Sequence, residues 1–217
     1  MLSNVKFSGP ELAGLIVAVS FAAGLNVYAT VATLGLLAHT GMLDLPSGLH
    51  LLASWWVIGA SAGLFAVEFF ADKIPAFDLV WNALHTFVRV PVAALLAYGA
   101  TSHLSPEKQL LATLAGAAIA FAAHGGKTAA RAAVTPSPEP VSNIALSAGE
   151  DTLAIFLTWF ASVHPMIAAS VVGVFLIAVI LVTRSVVRAL KKLFRGAEAE
   201  LASANDRRTK DRHLNAA

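Results

Sequence analysis

Residues 12–38 read LAGLIVAVSFAAGLNVYATVATLGLLA, an apolar run longer than the roughly 20 residues that one helix needs to cross a bilayer. The run contains no charged residue, and Gly24-Leu25-Asn26 interrupts it. It is too long for the apolar core of a signal peptide, and no cleavage-site pattern follows a short apolar core. We therefore expect the run to remain in the protein as a transmembrane helix.

The composition of the whole chain supports the same class. Of its 217 residues, 57% are hydrophobic and 13% are charged, and the mean hydropathy is +0.72. A water-soluble protein of this composition would have too little polar surface to cover itself. The absence of cysteine excludes disulfides, thiolate metal sites and cysteine nucleophiles. The net charge is only +2 and its excess lies in the C-terminal tail, so we expect no nucleic-acid partner.

The pattern of apolar segments predicts an all-α integral membrane protein with about six transmembrane helices. We expect a short N-terminal segment (residues 1–11), a transmembrane domain (12–195) and a polar, disordered tail (196–217). The fifth segment is short and polar in its first half, so a re-entrant path is the alternative there. The six segments are residues 12–38, 49–71, 77–100, 108–134, 143–163 and 166–189.

The distribution of lysine and arginine predicts the orientation. With six crossings, both termini lie on one side, together with Lys6, Lys73, Arg131 and the basic run 184–195. The other side holds only Lys108. Because cytoplasmic connections carry the excess of basic residues, we expect both termini in the cytoplasm of a bacterial inner membrane.

An internal similarity at an offset of 100 residues suggests two halves, about 12–100 and 108–190. Residues 19–26 (VSFAAGLN) resemble residues 119–126 (IAFAAHGG). Three helices in each half would give the halves opposite topology, the inverted-repeat plan of many transporters. Chance similarity between alanine-rich helices is the alternative. The glycines in these stretches predict either broken helices or, more often, close helix packing.

Two groups of charged residues fall on the second and third segments. Glu68 and Asp72 are four residues apart and share a helix face, and Pro75 ends that helix. Asp78 is a candidate N-cap of the next helix. Asp78, His85 and Arg89 then follow one another on a single polar stripe, with Pro91 beside it.

A third group connects the fourth and fifth segments. His124, Lys127 and Arg131 occupy one face of a helix, and Glu150 and Asp151 lie several residues into the next. We expect these cations to meet these acids. A charge at the bilayer centre costs roughly 2.5–3.5 kcal/mol on insertion scales, so the charges must face one another, a cavity or water. Ion pairs that only fix helix register are the alternative to a functional site.

These motifs resemble a bacterial integral-membrane family catalogued as domain of unknown function 4126. The resemblance rests on EFFADKIP (68–75) with Asp78 and HTFVR (85–89), and on His124, Lys127 and Arg131 followed by SPEP (137–140), Ser142-Asn143 and Glu150-Asp151. GLNVY (24–28) matches its first helix. The resemblance covers about residues 12–175. It implies that the charged residues form one site, and it carries no settled activity.

We therefore expect a small transporter or channel for an anionic solute, headgroup or proton-coupled substrate. A structural or assembly subunit is the alternative, and a membrane enzyme is less favoured because no metalloprotease, nucleophile or phosphate-loop motif is present. The expected partners are membrane lipids, a small anion or ion and a second copy of the chain, with no cofactor or metal. The predicted site residues are Asn26, Glu68, Asp72, Asp78, His85, Arg89, His124, Lys127, Arg131, Glu150 and Asp151.

Overall fold

The computed structural model describes residues 7–71, 75–134 and 140–214, and every regular element in this part of the chain is a helix. A 3₁₀-helix, Ser47–Ala53, lies between α2 and α3. The α-helices are α1 (Gly9–Leu25), α2 (Val27–His39), α3 (Trp55–Ala71), α4 (Pro75–Ala100), α5 (Pro106–Val134), α6 (Pro140–Val163) and α7 (Pro165–Leu214).

Asn26 divides the first apolar segment into two helices, so the break, one of the two alternatives for Gly24-Leu25-Asn26, is present. Its backbone is extended, with φ −148° and ψ 105°. Its N–H donates to Ala22 O and completes α1, while its side-chain Oδ1 accepts from Ala29 N and caps α2. Asparagine suits this position because one residue ends the first helix and supplies the N-cap of the second.

The interior of the bundle forms around α1, which packs against α2, α4, α5, α6 and α7. Small residues allow this close approach. A Cβ at Gly24 would lie 2.5 Å from the carbonyl oxygen of Ala120, and a Cβ at Gly116 would lie 3.0 Å from Ser20 Oγ. Ser20 contacts Gly116, and Gly24, one turn later on α1, contacts Ala120, one turn later on α5. The two helices are therefore parallel.

The second helix, α2, runs back towards the end at which α1 begins. Its first turn lies at the level of α4, where Tyr28 Oη is 3.1 Å from His85 Nε2. Seven residues later, or about 10 Å along the helix, a Cβ at Gly35 would meet Leu52 O and Ile58 at the start of α3. Leu34 also lines a small cavity together with Leu15 of α1. The two helices therefore form a hairpin, α1–α2, with Asn26 at its tip.

The remaining helices run between two ends of the bundle. The start of α1, the end of α4 and the start of α5 meet in one cavity, lined by Leu12, Thr101 and Lys108 among others. The junction of α6 and α7 lies at the same end, because a Cβ at Gly14 would be 2.7 Å from Pro165 O. We call this the N-terminal end. From the N-terminal end, α7 runs towards the opposite end of the bundle. On the way, its Val179 packs against Gly126 of α5.

The prediction of six membrane spans is not met. Within the described residues, three helices are long and apolar enough to cross a membrane, in α5, α6 and α7, and a fourth results if the 3₁₀-helix and α3, bent by 66°, count as one. The count is lower because Asn26 turns the first apolar segment into two short helices, and because the apolar stretch of α4 whose side chains the structure describes, Leu84–Ala100, is also short. The fifth segment forms one continuous helix, α6, and not the re-entrant path that was its alternative.

Other differences are local. α4 begins at Pro75, because proline fits the first helical position, so Asp78 lies inside the helix and not at its N-cap. α5 continues through Gly125-Gly126, where Gly126 packs on Val179, so the close-packing alternative applies there. α7 continues to Leu214, through most of the segment for which disorder was expected. The inverted repeat is not confirmed: α1 and α5, which carry its two similar stretches, run parallel, whereas opposite topology would make them antiparallel.

Two helical glycines allow a matched test of the packing. Gly24→Ala places a methyl group against the backbone of α5, which cannot rotate away, whereas nothing lies within 4 Å of a Cβ at Gly125. We expect Gly24→Ala to destabilise the protein by about 1–3 kcal/mol, the usual effect of overpacking. We expect Gly125→Ala to be neutral or to stabilise it by up to about 1 kcal/mol through helix propensity. Melting in detergent measures both, and equal melting temperatures would contradict the α1–α5 contact.

Candidate functional site

Buried polar and charged side chains from the hairpin tip and from α3, α4, α5 and α6 lie around one level of the bundle. All of them are buried, and Arg89, Glu68 and Asn26 are fully inaccessible. We call this set the charged core. Its members are Asn26, Glu68, His85, Arg89, His124, Lys127, Glu150 and Asp151.

Arg89 on α4 connects three helices of the charged core. Its Nη2 forms an ion pair with Glu68 Oε1 on α3. Its Nη1 lies 2.8 Å from His124 Nδ1 on α5. A guanidinium in an apolar interior is stable only when opposite charge and hydrogen-bond acceptors surround it. Glu68 and His124 supply both, and they hold α3 and α5 to α4 at this level.

The contact with Arg89 determines the tautomer of His124. A guanidinium has only donors, so His124 Nδ1 must accept and carries no hydrogen. The proton of the neutral ring then lies on Nε2, which is 2.8 Å from Thr86 Oγ1. His124 is therefore a neutral ring that accepts from Arg89 and donates to Thr86.

The Arg89–Glu68 pair leaves hydrogen-bonding capacity unused. Within the described residues, Glu68 Oε2 and Arg89 Nε are buried and have no hydrogen-bond partner. A buried polar group without a partner costs on the order of 1–3 kcal/mol, and such groups in a native structure often mark a functional position. Bonding is therefore incomplete on both sides of this ion pair.

A second ion pair joins α5 to α6, as the sequence predicted. Lys127 Nζ lies 3.1 Å from Glu150 Oε2. The side chain of Lys127 is inaccessible and that of Glu150 is 9% exposed. Lys127 lies one turn beyond His124 on the same face of α5, so both ion pairs contribute to one region of the interior.

The hairpin tip reaches the charged core through two hydrogen bonds. Asn26 Nδ2 donates to Asp151 Oδ1 at 2.8 Å, and Tyr28 Oη is 3.1 Å from His85 Nε2. The aromatic ring of Tyr28 also meets the edge of the His85 ring. The sequence analysis did not include Tyr28 or Thr86 among the site residues. A single hydroxyl on an apolar helix has no periodic signal, although Tyr28 lies in the GLNVY motif.

Three predicted site residues have no described side chain. Asp72, with its neighbour Lys73, lies outside the described residues. Asp78 and Arg131 lie on α4 and α5, but the structure describes only their backbone. The charged core accordingly contains eight of the eleven predicted residues, and their part in binding remains a prediction.

The charges of the described core nearly balance. Arg89 and Lys127 are cations, and Glu68, Glu150 and Asp151 are carboxylates. In the described part of the chain, no group of three or more His, Asp or Glu residues could hold a metal ion. The arrangement suits the exchange of protons and anions at two fixed cations, because each cation is held by a carboxylate that protonation can neutralise.

Comparison with known proteins gives one match. A family model described as a domain of unknown function (DUF4126) matches residues 13–185, which include all but the first turn of the hairpin, the whole charged core and the first part of α7. No curated protein and no solved structure matches the chain.

Removing one partner of the central ion pair should destabilise the protein more than removing both. Arg89→Met leaves Glu68 as an uncompensated buried charge, for which we expect a loss of about 3–5 kcal/mol. The double variant Arg89→Met with Glu68→Met replaces both charges by apolar groups and should recover most of that loss. Melting in detergent measures the three proteins. A double variant as unstable as Arg89→Met would contradict the direct pairing.

The tautomer of His124 is measurable by nitrogen NMR in lipid bilayers. We expect the signal of Nδ1 to be that of an unprotonated ring nitrogen and the signal of Nε2 to be that of a protonated one, because Arg89 donates to Nδ1. Arg89→Met removes this donor and should allow both tautomers. A protonated Nδ1 in the unaltered protein would contradict the contact with Arg89.

Proposed function

The chain belongs to the family described as a domain of unknown function (DUF4126), and we propose that it is a small membrane transporter that carries an anionic solute together with a proton. The charged core is its binding site in this proposal. The structure then corresponds to a closed state, in which carboxylates of the protein pair with the cations that would bind the solute.

The outer surface of the bundle supports a membrane location. Its exposed large side chains are predominantly apolar along the helices, for example Leu84 and Phe87 on α4 and Leu110, Leu114 and Phe121 on α5. Trp55 and Trp56 are exposed at the start of α3, where aromatic rings favour the membrane interface. We place the chain in a bacterial inner membrane, with lipids around these helices and a second copy as a candidate partner.

The observation that carries the proposal is the incomplete bonding of a fully buried ion pair. Arg89 is held by Glu68, yet Arg89 Nε and Glu68 Oε2 have no hydrogen-bond partner in the described residues. A guanidinium binds carboxylates and other planar oxyanions by paired hydrogen bonds. Arg89 thus retains a donor for an oxyanion that would take the place of Glu68.

Protonation of Glu68 supplies the coupling in this mechanism. A neutral carboxylic acid no longer balances the charge of Arg89, so the guanidinium attracts another anion. The solute and the proton on Glu68 then move together, and no net charge is buried. We assign the passage of protons in this region to His85 and His124, because a neutral imidazole has one ring nitrogen that accepts a proton and one that can give a proton up.

The second ion pair extends the site. Lys127 with Glu150 repeats the combination of a buried cation and a carboxylate, and Glu150 retains slight exposure. We assign Arg131, Asp72 and Asp78 to the approach to the site on the basis of their position in the sequence. Asp151 belongs to the hairpin contact with Asn26.

An assembly subunit is the second candidate. The complete burial of Arg89 and Glu68 favours it, because ion pairs closed to solvent also serve to fix helix register. In that function the chain moves no solute, and its charges only hold α3, α4, α5 and α6 together.

Uptake into proteoliposomes distinguishes the two candidates. The purified chain is reconstituted, a proton gradient is imposed, and uptake of radiolabelled pyruvate, oxalate and phosphate is measured. We expect uptake of at least one probe, driven by the gradient. Glu68→Gln imitates the protonated acid, so its uptake should persist without dependence on the gradient. Arg89→Met with Glu68→Met should lose about tenfold or more, because a charge-assisted contact exceeds about 1.4 kcal/mol.

The control is Arg188→Ala, which removes an exposed cation from α7 and should transport normally. Absence of uptake for all three probes by folded, unaltered protein would overturn the transport proposal and favour the assembly subunit. Equal uptake by the unaltered protein and the double variant would show that the charged core is not the binding site.

A further inference from the structure

We propose that α1–α2 is a re-entrant hairpin that enters the membrane from one face and returns to the same face. The hairpin acts as a lid that separates the charged core from that face. The hydrogen bond between Asn26 and Asp151 holds this lid shut.

The ends of the hairpin lie at the same end of the bundle. Lys108, next to the start of α1, lies at the N-terminal end. The exit of α2 lies there too, because the 3₁₀-helix that follows contacts the end of α4: a Cβ at Gly48 would lie 2.5 Å from Gly99 O, and Ser47 Oγ is 3.4 Å from Ser102 Oγ.

The lengths of the two helices fit a path that does not cross the membrane. α1 has 17 residues and α2 has 13, or about 25 Å and 20 Å, both shorter than the ~30 Å hydrocarbon core. A turn within the membrane must satisfy its own backbone groups. Asn26 does so, because its N–H donates to Ala22 O, its carbonyl accepts from Thr30 N and its side-chain oxygen accepts from Ala29 N.

The hairpin lies between the N-terminal end and the charged core. Its tip contacts the core through Asn26 and Tyr28. Behind the tip, its apolar residues pack with the end of α4 and with the loop after α2, around a small apolar cavity lined by Leu15, Leu34 and Leu96 among others. A solute from that end has to displace the hairpin before it reaches Arg89.

The hairpin changes the expected orientation. In this path α3 with its preceding 3₁₀-helix crosses the membrane, as do α5, α6 and α7, and we count α4 as a fifth crossing because its 26 residues are long enough to span. The N-terminal end and the C-terminal part of α7 then lie on opposite faces. The basic run on α7 (Arg184, Arg188, Lys191, Lys192 and Arg195) assigns that face to the cytoplasm. The proposal therefore replaces the expectation of two cytoplasmic termini with an external N-terminal end, and the lid faces outwards.

Single cysteines test the path of the hairpin, because the chain has none of its own. Ser8→Cys, Met42→Cys and Ser102→Cys place thiols before α1, after α2 and after α4, and Gly196→Cys places one on α7. All four positions are exposed. With a membrane-impermeant maleimide, we expect the first three to react from one face of sealed vesicles and Gly196→Cys from the other. Reaction of Met42→Cys on the same face as Gly196→Cys would overturn the hairpin.

A buried reporter tests the lid. Ser20→Cys lies on α1 at a position that is 1% exposed, and it should react slowly. Asn26→Asp retains the oxygen that caps α2 but places a carboxylate against Asp151, so it should raise the labelling rate about tenfold or more from the N-terminal end. Adding Asp151→Asn restores a donor to the contact and should return the rate to its original value. An unchanged rate in Asn26→Asp, or no recovery in the double variant, would overturn the lid.

A second variant covers the case in which Asn26→Asp does not fold. Asn26→Ser retains a capping oxygen but is too short to reach Asp151, and the same rise in labelling is expected. The lid rests on the proposed transport function, whereas the path of the hairpin does not. Labelling requires no solute, so failed uptake by unaltered protein overturns transport alone, and unchanged labelling overturns the lid alone.

Discussion

The burial of the Arg89 guanidinium is the constraint on which the arrangement of the central helices depends. An unpaired cation there would be prohibitive, so Glu68 on α3 and His124 on α5 must face it. Successive residues on a helix point about 100° apart, and a shift of one residue in any of the three helices would break the contact. One side chain therefore fixes both the rotation and the level of α3, α4 and α5.

Asn26 imposes the corresponding constraint on the hairpin. The extended residue at the tip ends one helix and caps the next, and its remaining donor reaches Asp151 on α6. Since Glu150 adjoins Asp151 and pairs with Lys127, α6 is held at the same level as the ion pairs. The tip of the hairpin and the charges of the bundle are thus positioned by one connected set of polar contacts.

Sequence patterns predicted the parts that depend on local spacing. The i, i+3 face of His124 and Lys127 and the acids on the next helix predicted the Lys127–Glu150 pair. Gly24-Leu25-Asn26 indicated a break as one of two alternatives, the other being close helix packing. The reversal of α2 was not predictable, because apolar periodicity shows where a helix stops but not the angle at which the next one leaves. The Glu68–Arg89 pair was equally hidden, because it depends on the relative levels of two helices that only the folded bundle defines.

Asn26 and the central ion pair differ in how completely their hydrogen-bonding groups are used. Both backbone groups of Asn26 and both polar atoms of its side chain make hydrogen bonds, as a turn in an apolar interior requires. The Arg89–Glu68 pair leaves a donor and an acceptor unused among the described residues, although both are fully buried. If the charges served only to fix register, apolar residues of similar size would do so at least as stably. Under the proposed transport function, the partners of this incompletely bonded pair exchange, with Glu68 taking a proton and Arg89 taking an anion.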